Sequence, residues 1–266
     1  MRITRRSLTL LAILFLLVFP NAPVGIQADD LQSRYPLGLI PSEGDLPQID
    51  RTRLSALASM AATLPSTVDL SDELPPIGDQ GPQGSCVGWT LGYYYKTFQE
   101  GVERGWNVAT SQHQFSPAWI YNQRSTSDCA SDWGMSYYDG LTILSGKGAA
   151  TLAAVPYDPS DSCSLPSQAA IDEAWQYRAE DFSVLFAGRG RANLGTLKAL
   201  LAGGEPFAIA APVYSSFYRV TYSNPVVPRH ADSETFYGGH AMLVVGYDDQ
   251  MGGFKTVNSW GANWGK

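Results

Sequence analysis

From Cys86 onward, apolar residues recur at spacings of three and four. Val87, Leu91, Tyr94 and Phe98 share one face, which predicts a helix from Cys86 to about Glu103. Ser85 stands where its N-cap should stand. Shorter helices are predicted after Ser116-Pro117, from Tyr138 to Leu144, after Pro166-Ser167 and from Asn193 to Leu201, with a cap residue or a proline at several of these starts. Beyond Gly203-Gly204 the pattern changes. Phe207 to Val213, Phe217 to Thr221, Ala241 to Tyr247 and Phe254 to Val257 read as strands. Helices first and strands second give an α+β fold with two lobes, and a cleft between lobes is a natural place for a site.

The start of the chain reads differently. Arg2, Arg5 and Arg6 precede an apolar run from Leu8 to Phe19, which Pro20 breaks. Small residues follow, with Ala28 a plausible last residue before cleavage, so residues 1–28 read as a secretory signal. The run falls short of the roughly 20 residues that span a bilayer, so no stable membrane insertion is expected after cleavage. Residues 29–65 read as a short pro-segment or linker, punctuated by Pro36, Pro41, Pro47 and Pro65, with one helical patch from Arg53 to Ala62. Residues 66–266 form the globular domain, led in by Pro75-Pro76 and the turn-rich Gly78 to Pro82.

Composition narrows the function. Of the 266 residues 44% are hydrophobic and 16% charged, enough to bury a core. The net charge of −7 argues against nucleic acid, whose phosphates need a basic face. Three cysteines in a secreted chain leave at least one unpaired or bridged to another molecule. An oxidising compartment would let Cys129 and Cys163 pair, which in the chain-entropy account stabilises by roughly 3–4 kcal/mol; the pairing stays open at this point. His113 and His230 have no metal-ligand spacing, so neither a metal nor a cofactor is expected.

Cys86 is then the candidate free thiol. At a helix start, unsatisfied N–H groups and the helix dipole favour negative charge, so a lowered pKa and a nucleophilic thiolate are expected. Gln80 lies in the preceding loop, where its amide could donate to an oxyanion alongside the Cys86 N–H. His240 follows Gly238-Gly239 at the head of an apolar strand and could serve as proton carrier. Asn258 could accept the imidazole N–H and fix the ring, and the nearby Trp260 could shield that bond.

The ordered set Gln, Cys, His, Asn resembles the papain-like cysteine peptidases. The stretches that carry the likeness are PPIGDQGPQGSCVGW (Pro75–Trp89), SPAWIYNQ (Ser116–Gln123), GGHAMLVVGYDD (Gly238–Asp249) and NSWGANWG (Asn258–Gly265). The resemblance implies a two-lobed fold with a helical first lobe, a β-sheet or barrel second lobe and the cleft between them. It implies Cys86 as nucleophile, His240 as general acid/base, Asn258 as orienting residue, Gln80 as oxyanion donor and Trp260 as the shield on the His–Asn pair. Gly134 and Ser136 are the candidates for the glycine-rich loop that holds substrate backbone. A peptide or protein substrate is expected, with no cofactor.

Three departures stand out. Relatives carry a second, disulfide-bonded cysteine three residues before the nucleophile, where this chain has Gln83, and an aromatic residue just after it, where this chain has Val87. The chain also stops at Lys266, where relatives continue to a final strand, so that strand is expected to be lacking. Two other readings remain open: a non-catalytic protein that binds peptide in the same cleft, and another Cys–His acyl-transfer enzyme such as a cell-wall amidase.

Overall fold

The computed structural model describes residues 34–42, 47–60, 63–124, 129, 131–185 and 193–264, together with the backbone of 10–12. Most of the expected signal segment lies outside the described residues. Its residues Leu10–Ala12 form a short strand, β1.

The predicted helix at Cys86 runs from residue 86 to 104 and is labelled α2. It comprises Cys86–Gly88, a stretch in π geometry over Trp89–Lys96, and Thr97–Arg104, and it ends at Gly105 in the left-handed conformation. Every residue from Cys86 to Gly101 is buried, including Lys96 and Glu100, whose side chains pair at 2.7 Å. Around α2 stand α3 (Pro117–Tyr121), α4 (Tyr137–Gly146) and α5 (Gln168–Ala174). Ser116, Ser136 and Ser167 each cap the following helix, accepting from the backbone N–H of Trp119, Asp139 and Ala170.

The second half builds the sheet. β4 (Phe207–Tyr214) pairs antiparallel with the long β5 (Phe236–Asp248), which also pairs with β2 (Thr67–Asp69) and β6 (Gly253–Val257). β3 (Phe182–Val184) pairs in parallel with β1, which in turn meets β4. β5 is buried from Gly239 to Tyr247 without alternation because both of its faces are covered, one of them by α6 (Leu194–Ala202). The α+β class expected from the pattern is the one observed.

Two local expectations need correction. Phe217 to Thr221 is no strand: Phe217–Arg219 is a 3₁₀ turn. The adjacent rings of Phe217 and Tyr218 are both buried against Trp260, which an alternating strand would not allow. Ser85 precedes α2 but gives it no capping bond, because its Oγ pairs with the Tyr157 hydroxyl at 2.8 Å.

The described residues of 34–60 pack their apolar side chains into clusters shared with later elements. Their helix α1 (Arg51–Met60) starts at Asp50, whose Oδ1 accepts from the N–H of Thr52 and Arg53. Ile49 and Leu57 are buried with Leu197, Leu200 and Leu201 of α6. Cys129 and Cys163 are bridged, with Cα atoms 5.2 Å apart, and Cys86 is free. Among the described residues, no helix is long and apolar enough to cross a membrane.

Candidate active site

Cys86 is the first residue of α2, so its sulfur lies at the start of the buried helix. The adjoining wall is β5, which carries His240, and the residue after β6, Asn258. Pairing of Leu243 with Val257 brings the two strands together at this end. His240 Nε2 donates to Asn258 Oδ1 at 2.7 Å. Because that oxygen only accepts, the ring proton sits on Nε2 and Nδ1 is the free base; Nδ1 is buried without a hydrogen-bond partner. The Trp260 indole stacks over the imidazole, with centroids 4.5 Å apart and planes 26° from parallel. The N–H of Ala241, the next residue on β5, faces the Cys86 sulfur.

Gln80 is fully buried, and each end of its amide is fixed. Its Oε1 accepts from Ser259 Oγ at 2.6 Å, which aims Nε2 away from Ser259. Nε2 donates to Gln83 O at 2.8 Å and to Pro36 O at 3.2 Å. The backbone is tied as well, since Gln80 N–H donates to Ser259 O at 2.8 Å. Gln80, His240, Asn258 and Trp260 therefore form one connected unit, held by the segment Asn258-Ser259-Trp260.

Residues 35–40 cross this unit as an extended strap. The Pro36 carbonyl accepts from Trp260 Nε1 at 3.1 Å as well as from Gln80. The Tyr35 ring lies 5.2 Å from that of Trp260. Gly38 O accepts from Met135 N–H at 2.7 Å, Ile40 N–H donates to Met135 O at 3.2 Å, and Leu39 N–H donates to Gly239 O at 3.2 Å. The strap thus pairs with the chain on both sides of the cleft, parallel to Met135 and antiparallel to Gly239. Gly38 N–H faces the Cys86 sulfur. A Cβ on Gly38 would lie 1.9 Å from Gly84 O, so only glycine permits this approach.

The expected thiolate is absent from this covered state. Cys86 has no exposed surface, and burial pushes its thiol up to about 12, against the pull of the Ala241, Gly38, Val87 and Cys86 N–H groups. Burial likewise draws His240 down to about 4, with the Asn258 bond opposing. Near neutral pH both are uncharged. The reason is desolvation: with the strap in place, no water solvates an ion pair, and a few N–H dipoles do not replace it.

Gly134 has φ +93, and a Cβ there would lie 2.1 Å from Gly38 O, so this glycine lets the strap backbone pass. Ser136 turns its hydroxyl to Asp139 as the α4 cap, and the backbone of Met135 makes the strap contacts. Gln83 is buried, and its Nε2 donates to Asp161 O at 3.2 Å. Sequence reading passed over three residues. Ser259 fixes Gln80; Tyr157 donates to Gln80 O at 2.8 Å and meets Ser85; Pro36 supplies the strap carbonyl. The Asn-Ser-Trp run was a usable signal for Ser259, because its neighbours on both sides were already singled out. Nothing local marked the other two.

The profile of the papain family cysteine proteases matches residues 64–266. A solved cysteine protease, xylellain from Xylella fastidiosa, superposes with a TM-score of 0.69 at 27% identity, covering 88% of this chain and 87% of that one. The procathepsin B of Trypanosoma congolense shares the fold at TM-score 0.65 and 18% identity, over 88% of this chain and 79% of that one. The thiol protease aleurain of Arabidopsis thaliana is 27% identical over 82% of this chain and 61% of its own length. The "Uncharacterized peptidase C1-like protein L477" of Acanthamoeba polyphaga mimivirus is 26% identical, over 70% of this chain and 60% of its own length. This chain therefore spans about three fifths of these two relatives. With the profile covering most of the sequence, and with a cysteine at a helix start beside a Trp-covered His–Asn pair, the chain belongs to the papain family of cysteine proteases.

Proposed function

We propose that the chain is a secreted cysteine peptidase, held in a covered form by the strap, that hydrolyses peptide bonds through a covalent acyl-enzyme at Cys86. The observation that carries the reading is the 2.7 Å bond from His240 Nε2 to Asn258 Oδ1 beneath Trp260, on the same strand whose next N–H faces the Cys86 sulfur. The basic and apolar start of the chain and the Cys129–Cys163 bridge support an extracellular setting.

Once the strap leaves, water reaches the thiol and the desolvation that raised its pKa is relieved. The proton passes to His240, and the helix start and the imidazolium stabilise the thiolate. The sulfur attacks the scissile carbonyl carbon, and the carbonyl π electrons move onto oxygen. Gln80 Nε2–H, relieved of Pro36 O, and the Cys86 N–H receive that oxyanion. His240 gives its proton to the leaving nitrogen, the C–N bond breaks and a thioester remains. A water, deprotonated by His240, then attacks the thioester; carboxylate leaves and the sulfur is restored. Asn258 keeps Nε2 protonated throughout, so that Nδ1 carries the moving proton.

The test is labelling of the full chain, before and after the strap is released by cleavage on the C-terminal side of Ser42, with a thiol-directed peptide-mimic electrophile, followed by mass mapping and, after release, by hydrolysis assays on peptide and on cell-wall substrate. Label at Cys86, and peptide hydrolysis that Cys86→Ser abolishes, are expected. Full hydrolysis by Cys86→Ser overturns the mechanism. An uncovered protein with an unreactive Cys86 points to the peptide-binding reading, and turnover of cell-wall substrate alone points to an amidase.

A further inference from the structure

The residues just before the nucleophile hang on a contact that the mechanism above does not use. Gly84, two residues before Cys86, donates its N–H to both carboxylate oxygens of Asp132, each at 3.2 Å. The same carboxylate accepts from the Tyr121 hydroxyl, on α3. Tyr121 is fully buried, and the Arg124 guanidinium lies 3.3 Å over its ring. Burial, together with the bond to Asp132, holds this phenol well above its ordinary pKa, so it remains a donor across the working range of pH. Gly84 is closely surrounded: a Cβ there would lie 3.1 Å from Leu37 O and 3.3 Å from both Asp132 O and the Tyr121 hydroxyl.

Asp132 is also unusual in its backbone. Its φ is +48, and it is the one non-glycine residue with positive φ among those described. Such a conformation costs energy and is kept where surrounding contacts over-determine it. The contacts here are the grip on Gly84 and, two and three residues further on, the Gly134 and Met135 backbone that lines the cleft. One short loop therefore touches both the approach to the sulfur and the wall against which an extended chain pairs.

We propose that Asp132 is a positioning residue for the peptidase reaction: its carboxylate, aimed by Tyr121, fixes the Gly84 N–H and so sets the distance from the Cys86 sulfur to the cleft wall at Gly134 and Met135. This rests on Cys86 being the nucleophile. Losing the tie lets the start of α2 drift relative to bound substrate, and a displacement of about 1 Å at a reacting atom costs up to roughly 100-fold in rate.

The test is kcat and KM for the chain after its strap is released by cleavage on the C-terminal side of Ser42, with kcat expressed per site titrated by an irreversible thiol-directed inhibitor. Asp132→Gly removes the carboxylate and suits the positive φ, so folding is preserved. Its kcat per titrated site is expected to fall about tenfold or more, with KM changed less than about threefold. Asp132→Asn keeps an acceptor oxygen and tolerates the left-handed backbone, so it restores most of the rate. A purely architectural role would lower the number of titratable sites while each turned over at the wild-type rate, and that result overturns the proposal. So does Asp132→Asn falling as far as Asp132→Gly. Should Asp132→Gly fail to fold, Tyr121→Phe decides: a drop in kcat per site of about threefold supports the tie, and an unchanged value overturns it. A wild-type chain whose Cys86 stays untitratable after the strap is released sinks the nucleophile assignment instead.

Discussion

Replacing Gly38 by alanine would put a methyl carbon 1.9 Å from the Gly84 carbonyl oxygen, 2.4 Å from its carbonyl carbon and 2.8 Å from its Cα. All three are backbone atoms beside the nucleophile, so they cannot swing aside as a flexible side chain would. The strap must yield. Three backbone hydrogen bonds hold it at Gly38, Leu39 and Ile40, each contributing about 0.5–1.5 kcal/mol net, and the burial of Leu39 adds about 1.5–3 kcal/mol. Forcing a methyl into such a site costs about 1–3 kcal/mol. At about 1.4 kcal/mol per factor of ten, the uncovered fraction rises about 5- to 150-fold. Cys86 is the free thiol, so its alkylation by iodoacetamide at pH 7 reads that fraction directly while opening is fast compared with labelling. The Gly38→Ala chain should be alkylated faster by that factor, with the main thermal transition little moved. Alkylation within about twofold of wild type would refute the argument that close packing at Gly38 keeps the cleft covered.

Two further expectations come from charge. His240 sits near 4 when covered against an ordinary 6.5, and Cys86 near 12 against 9.0. In a Cys86→Ala chain, where no thiol can hand its proton to the ring, the uncovered imidazole binds below pH 6.5 a proton that the covered one refuses. The strap of that chain is therefore held most tightly above that pH. Its opening free energy, read from amide exchange at Leu39 and Ile40, should fall by up to about 3 kcal/mol on acidification towards pH 4; a flat profile would count against the buried neutral imidazole. Glu100→Ala removes the carboxylate that pairs with Lys96, whose side chain is 2% exposed, and leaves a buried ammonium with only Gln99 Oε1 at 3.4 Å. Chemical denaturation should show a loss of about 3–5 kcal/mol, and a loss under about 1 kcal/mol would mean that water reaches Lys96.

Much of the site was legible because it lies in segments with strong local patterns. The apolar spacing after Cys86 marks a helix whose first residue is that cysteine. The paired glycines before an apolar run place His240 on a strand, although β5 starts earlier, at Phe236, than the run suggests. What the sequence hides is the long-range part. Gly84 and Asp132 are 48 residues apart and meet through a backbone N–H, which no side-chain pattern announces. The strap has neither period two nor period 3.6; Pro36 and the adjoining Pro41 suggest a linker, yet its carbonyls and amides find partners across the cleft. The turn at Phe217–Arg219 misread as a strand because β propensity rewards aromatic runs whether or not the residues alternate in burial. The fall of the thiolate expectation has the same origin: a helix start favours an anion only while water can reach it.

A cover carried on the same polypeptide as the cleft acts at a local concentration fixed by the connecting chain, which for short flexible links is in the millimolar range. Dilution cannot dislodge it, so a large surrounding volume would leave the cleft as covered as before. One cut on the C-terminal side of Ser42 changes that arithmetic: the severed peptide must compete at its bulk concentration, and dilution then works toward release. Turning latency from an intramolecular property into a bimolecular one takes a single hydrolytic event.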